Sequence, residues 1–474
     1  MVQKYSAEVQ NGIWKVLRWL LVFEFFMVFG NNVFNLITPK LAEEFSVAPS
    51  TVSLVISLGV LAFGISSVVF TILSDRISMS QLLLYPSAAV SGIALLALLA
   101  DQSFVVLIAF RVLMGLAMGS PVALCLNMAI KYFDKLTAAK FFGYATAVFQ
   151  LAAATGHLLG GYLTEHFHWK LALMLPVVTV LSLPTLIKYL PKEVSKKGTF
   201  DFVGAGLVTA FVVSLVLYLT FKMQYPIMLI SALVVLAILI VYSLKKENPF
   251  INPEIFKIKG VPLSLIVCLL FYGTQSAFYF IFPFIVKDIY NMPLTTIGVF
   301  YTVTNLVAFV VGMLSGPIIK AIGYRNMVLL GGSLIFAGLA TVAFLSGYTV
   351  VTVFAGMAIF NIGYVLFFSG YLSNYTQLLP VSKYGAGVGI EKLVLQTSTS
   401  LGTAGMALLI NQPYMMHKLV DFSDNVKSAQ FSNMALVLMG SITVATIIFL
   451  KVFSKSYNCN IYDVKDQSVE KTAY

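Results

Sequence analysis

The segment LRWLLVFEFFMVFGNNVFNLI, from Leu17 to Ile37, is an apolar run of about 20 residues with a single carboxylate near its middle. Such a run, at 1.5 Å per residue in a helix, matches the roughly 30 Å hydrocarbon core of a bilayer. Glu24 lies about eight residues into it, hence about 12 Å from one edge and near the midplane. At 100° per residue Asn31 and Asn35 each fall within about 20° of Glu24, and Asn32 sits beside them. One face of the helix is therefore polar over nearly three turns. Lipid contact forbids such a stripe, so it implies water, a ligand or a neighbouring helix.

The rest of the chain agrees with a lipid solvent. Of 474 residues, 59% are hydrophobic, 14% aromatic and only 10% charged. A soluble domain carries about 25% charge, and these values also exclude a disordered chain and a disulfide-knit scaffold. Apolar stretches bounded by charge or turn residues give about 14 helices, starting near Leu17, Thr51, Leu82, Val105, Phe141, Leu171, Phe202, Pro226, Val261, Thr295, Met327, Val350, Ala386 and Phe431. The chain reads as an all-α polytopic membrane protein. The first helix lacks a small-x-small cleavage site and reads as a retained anchor.

Most of the 30 Lys and Arg residues fall in the N-terminus, every second loop and the C-terminal tail. That places both termini in the cytoplasm and requires an even helix count. The net charge of +11 is thereby a topology signal, and no nucleic-acid partner is expected. Cys125 and Cys268 lie in expected helices and Cys459 in the tail, which leaves no disulfide framework or CxxC site. With four histidines and no HExxH, no metal site is expected; with no GxxxxGK[ST], ATP is not the energy source.

Two long connections, Lys188 to Phe202 and Lys245 to Lys259, bracket a pair of helices with few polar residues. The expected division is a six-helix half (1–190), two spacer helices with flanking loops (191–259), a second six-helix half (260–455) and a tail (456–474). A weak repeat supports it: the loop from Thr71 to Gln81 aligns with Gly316 to Arg325. Two halves related by an axis along the membrane normal place a site between them at the midplane.

Intramembrane charges are functional candidates because each costs about 2.5–3.5 kcal/mol to insert. Besides Glu24 there is Arg111, roughly 10 Å deep in the fourth helix with Gly115 and Gly119 on a nearby face. It is placed to act on Glu24 as the halves rock, unless helix carbonyls satisfy it. Gly143, Gln150, His157 and Gly161 form a stripe on the fifth helix, where His157 is either titratable or a neutral hydrogen-bonding group. Glu391 and Lys392 open the thirteenth helix, where an interfacial location is expected. Aromatic-rich helices carry Gln275, Tyr279, Tyr301, Asn305, Asn361 and Tyr364; buried amides need partners, so Gln275, Asn305 and Asn361 join Asn31, Asn35, Gln150 and His157 as candidate substrate-binding residues.

These residues resemble the 14-helix drug:proton antiporters of the major facilitator superfamily, particularly the Gram-positive tetracycline exporters of the K and L classes and related phenicol exporters. The similarity runs over nearly the whole chain. It is carried by Leu73-Ser74-Asp75, Arg111 with Gly115, Gly156-His157 and Gly160-Gly161, His168-Trp169, Lys192-Glu193-Val194, Phe200-Asp201 with Gly204, Pro249-Phe250, Pro283, Lys287-Asp288 and Gly385-Ala386-Gly387. The resemblance implies a major facilitator fold and drug efflux exchanged for proton influx. It gives Asp75, with Arg76 beside it, the role of a conformational latch, Arg111 that of tuning a proton site, and Gly156, Gly160 and Gly161 the packing of the alternating interface. The chain departs from the family at Thr71, Ser78, Ser80 and Gln81 in the latch loop, at Ala152 and His157 on the fifth helix, and at Asn31, where the tetracycline exporters carry their first-helix acid.

Glu24, two turns away on the same face, is the expected proton carrier. The expected partners are a small-molecule drug, protons and the lipid bilayer, with no cofactor beyond the proton gradient, and the chain is expected to work as a monomer in the bacterial cell membrane. Loss of the acid at Asn31 points to neutral or amphiphilic drugs such as phenicols, with metal-chelated tetracycline close behind. The competing readings are a multidrug exporter of lipophilic compounds and a proton-coupled transporter of a metabolite or lipid. An intramembrane enzyme is disfavoured because Glu24 has no carboxylate companion, and a channel because no ring of repeated motifs exists.

Overall fold

The computed structural model describes residues 7–74, 77–133, 135–190, 201–221, 223–247, 249–380, 383–410, 412–419 and 426–453. Its long elements are α1 (Ala7–Glu44), α2 (Pro49–Leu73), α3 (Met79–Leu96), α4 (Phe104–Tyr132), α5 (Lys135–His166), α6 (Lys170–Tyr189), α7 (Phe202–Thr220), α8 (Pro226–Lys245), α9 (Val261–Tyr290), α10 (Leu294–Met313), α11 (Ser315–Leu345), α12 (Val350–Gln377), α13 (Tyr384–Leu409) and α14 (Val426–Val452). Among the described residues, 12 helices are long and apolar enough to cross a membrane. α5 and α13 complete the set; they carry His157, Glu391 and Lys392 and lie where the two halves of the bundle meet.

Two elements differ from the sequence expectation. α6 contains a 3-10 stretch from Leu175 to Ser182, where Pro176 and then Pro184 remove backbone donors. The expected loop from Gly316 to Arg325 is helical instead, and α11 breaks only at Gly323, whose φ of 80° is open to glycine.

The packing repeats. In the first half α1 lies on α5, α2 on α4, and α3 on α4 and α6; in the second, α9 lies on α13, α10 on α12, and α11 on α12 and α14. Small residues set the tightest of these contacts: a Cβ on Gly331 would stand 2.5 Å from the Phe367 amide, and one on Gly363 would stand 2.6 Å from that of Ile335. The halves meet along two seams, α2·α13 and α5·α10, with α1 and α9 touching at the centre. Outside this body α7 and α8 form a hairpin. Val208, Val212 and Val216 of α7 pack with Leu54, Leu61 and Ile65 of α2 and Leu393 and Ala404 of α13 as a separate apolar cluster.

The links across the seams lie at mid-depth and toward the end away from the termini, called here the distal end. Lys287 of α9 pairs with Glu43 of α1 at 2.5 Å. Glu165 of α5 accepts hydrogen bonds from the amide and hydroxyl of Thr295 on α10. Thr302 donates to the Ala154 carbonyl at 2.9 Å.

Candidate transport site

The polar stripe of α1 separates into two environments. Asn31 belongs to the first: its Oδ1 accepts a 2.7 Å hydrogen bond from Arg111 Nη2, while Arg111 Nε donates to the Val55 carbonyl at 3.2 Å. The guanidinium also sits 4.2 Å from the Phe34 ring centroid. Space for it comes from Gly59, where a Cβ would approach the guanidinium to 3.1 Å, and from Gly115, where one would stand 2.4 Å from the Gly59 carbonyl. Arg111 is 6% exposed and lies at a cavity inside the first half, walled by α1, α2, α4 and α6. The expected action of Arg111 on Glu24 is not what the geometry brings about. Its polar partner is Asn31, two helical turns or about 10 Å along α1 from Glu24.

Glu24 occupies the second environment, half-buried at the middle of α1. The cation whose field reaches it is Lys392 of α13, in the other half of the molecule, and Cys125 of α4 lies within its own field. Lys392 in turn feels two carboxylates, Glu391 and Glu24. Glu391 corrects a sequence expectation: it is 3% exposed, not interfacial. α13 is wedged between α9 and α2, which turns Glu391 toward Cys268 (Sγ to Oε1 3.8 Å). Tyr371 beside it donates to the Ser264 carbonyl at 2.9 Å, and the buried Tyr272 hydroxyl has no partner. Two acids and one lysine, drawn from both halves, thus surround the centre. In sequence the only signal was an adjacent Glu-Lys pair inside a helix.

His157, Asn305 and Asn361 come together. His157 is fully buried and stacks on Tyr301 at 4.1 Å with the planes 5° apart. Asn305 Nδ2 donates to His157 Nδ1 at 3.2 Å, which leaves Nε2 without a partner. Asn305 Oδ1 and Asn361 Oδ1 share the Tyr279 hydroxyl, at 3.2 and 2.9 Å, and Asn361 Nδ2 donates to Thr304 at 3.2 Å. The network joins α5 to α9, α10 and α12 across the seam. Its members bind one another, with His157, Thr304, Asn305 and Asn361 buried and Tyr279 half-buried. Thr304 was not foreseen; an alternating polar neighbour of Asn305 is too common a feature to single out. Gln150, Gln275 and Asn35 are half-buried and stand outside the network.

The packing glycines divide as well. A Cβ on Gly156 would stand 2.8 Å from the Phe29 carbonyl and one on Gly160 would stand 3.0 Å from Val33, both on α1, whereas Gly161 faces the Leu294 carbonyl of α10 at 2.7 Å. Only Gly161 of the three works across a seam. Asp75, Arg76 and the segment from Lys192 to Val194 lie outside the described residues. Asp201 has a local role: it caps α7 through the Gly204 amide (2.9 Å) and accepts from the Tyr242 hydroxyl (2.6 Å) and the Phe250 amide (2.8 Å). Burial raises its carboxyl, but these three hydrogen bonds and the charge of Lys246 outweigh that and hold it below its ordinary value.

Comparison with known proteins agrees with this architecture. Residues 20–403 match the Major Facilitator Superfamily. The riboflavin transporter RibZ of Clostridioides difficile (strain 630) is 23% identical over 415 residues, covering 85% of this chain and 91% of that protein. The multidrug efflux pump LfrA of Mycolicibacterium smegmatis is 22% identical over 421 residues, covering 86% and 83%. Among solved structures, the nucleoside transporter NupG superposes with a TM-score of 0.64 at 10% identity, covering 93% of this chain and 100% of that one. The POT family transporter PepTSo gives 0.65 at 14%, covering 94% and 98%. These likenesses to solved structures show the fold.

Proposed function

Because the chain belongs to the Major Facilitator Superfamily, we propose that it is a proton-coupled exporter of small lipophilic drugs, with phenicols and tetracyclines as leading substrates. The termini face the cytoplasm, by the distribution of basic residues, and the distal end faces outward. With the halves linked at the distal end, the conformation is inward-facing. The similarity to efflux pumps such as LfrA supports export.

One observation carries the coupling: Glu24, at the middle of α1, sits in the field of Lys392 from the opposite half. The carboxylate of Glu24 and the ammonium of Lys392 attract across the two halves, and protonation of Glu24 abolishes that attraction. The charge on Glu24 therefore biases how the halves lean. In the inward-facing state the proton leaves as drug enters; in the outward-facing state Glu24 takes a proton as drug departs. Exchange of one proton for a neutral drug moves one charge, adding about 2.3 kcal/mol per 100 mV to the driving force.

Everted vesicles test this directly. Glu24→Gln is expected to abolish drug accumulation on energisation while leaving gradient-independent drug exchange intact. Full resistance in cells that express the variant normally would remove Glu24 from the mechanism. A susceptibility panel of tetracyclines, phenicols, quaternary ammonium dyes and fluoroquinolones, with and without a protonophore, sets the substrate range. The similarity to RibZ over most of both chains favours a second reading, transport of a planar heterocyclic metabolite. Accumulation of riboflavin by intact cells, with no change in drug susceptibility, would select it.

A further inference from the structure

The cavity at Arg111 has a one-sided chemistry. Its walls are phenylalanine, methionine, glycine and other apolar residues, and its polar groups are Arg111 and Asn31 alone. Arg111 uses Nε on the Val55 carbonyl and Nη2 on Asn31, which among the described residues leaves Nη1 without a hydrogen bond on a side chain that lines the cavity. Asn31 has spent its acceptor on the guanidinium, and its Nδ2 meets only the thioether sulfur of Met27 at 3.3 Å, a weak acceptor. What the two side chains offer inward is donors. Among the described residues Arg111 takes part in no ion pair.

A buried cation without a counter-charge is the arrangement least favourable to an ion in a protein interior. The nearest groups supply only a carbonyl, an amide oxygen and the face of Phe34. The cavity holds about 30 Å³, room for roughly two water-sized spheres and too little for a ring. We propose that this cavity binds a small inorganic anion of halide size, held by Arg111 Nη1 and Asn31 Nδ2 against the Phe26, Phe34 and Phe110 rings, as the counter-ion of the first half. The inference is independent of the transported substrate and of proton coupling at Glu24.

The test uses the purified full-length chain in nanodiscs, with thermal unfolding followed at constant ionic strength. Replacing gluconate by chloride or bromide is expected to raise Tm saturably by about 2–4 °C, whereas sulfate, too large for the cavity, does not. Asn31→Asp places a fixed negative charge where the amide oxygen now sits. It is expected to raise Tm in gluconate and to remove the halide response. Arg111→Gln, which keeps an amide of similar reach without the charge, is expected to remove the response as well. No halide response in the unmodified protein, an equal response to sulfate, or a response undiminished in either variant overturns the proposal.

Discussion

The two seams between the halves occupy equivalent places in the repeat, yet they are built from different chemistry. At α5·α10 a buried histidine stacks on Tyr301 and is tied through Asn305 to Tyr279 and Asn361, while Gly161 and Gly298 admit the opposing backbone. At α2·α13 the link is a reciprocal pair: the Ser57 hydroxyl donates to the Ser400 carbonyl at 3.2 Å and the Ser400 hydroxyl to that of Ser57 at 2.9 Å. Topology makes the seams alike, so the difference belongs to the sequence. A hydroxyl bonded to a helix carbonyl can find another carbonyl when the helices slide. The amide and phenol network cannot re-form in a shifted register, so the α5·α10 seam has fewer stable positions.

The sharpest way to break this contrast is steric. In Gly298→Val the new Cβ would lie 2.4 Å from the His157 carbonyl, a backbone atom that cannot step aside. Overpacking of this kind costs about 1–3 kcal/mol, enough to shift the conformational balance about fivefold or more. Transport is expected to fall accordingly, and disulfide trapping of Glu165→Cys with Thr295→Cys is expected to become inefficient at the distal end. Next comes Asn305→Leu, which strands the Tyr279 hydroxyl and the amide of Asn361 in a buried site. Its expected cost is about 1–3 kcal/mol in thermal unfolding. Ser400→Ala on the other seam removes one hydroxyl bond and is expected to cost about 0.5–1.5 kcal/mol. Equal losses from the last two variants would show that the seams differ in appearance only.

The smallest effect concerns the flank of α2·α13. The Asp201 carboxyl is held below its ordinary value, so its contribution to stability is complete at neutral pH and is lost as pH falls below the usual carboxylate range. Asp201→Asn is expected to flatten that part of the stability profile without shifting it near neutrality by more than the loss of one cap, about 1 kcal/mol. Glu254, exposed and held low by its hydrogen bond to Lys383, titrates in the same sense but, as a surface pair, adds little.

The helices were legible because twenty-residue apolar runs have one physical reading, and the expected starts at Phe202, Pro226, Val261 and Val350 coincide with observed ones. The α11 entry was not, because Gly316, Pro317 and Lys320 are loop signals in a stretch that nevertheless forms helix. Site residues were legible as residues but not as partners. Periodicity placed Glu24, Asn31 and Asn35 on one face of α1, yet nothing in a single helix reveals that Arg111 reaches Asn31 while the field at Glu24 comes from Lys392. Those pairings depend on which helix lies opposite and at what height. Glu391 was misplaced for the same reason: distance from a helix end measures depth only if that end lies at the membrane surface, and α13 begins against other protein.

The α7–α8 hairpin spans one seam and leaves the other bare. With α7 seated on both α2 and α13, the perimeter of the molecule has a shuttered side and an open one. Of the two seams, α2·α13 lies behind the apolar face of α7, whereas among the described residues no helix covers α5·α10 in the same way.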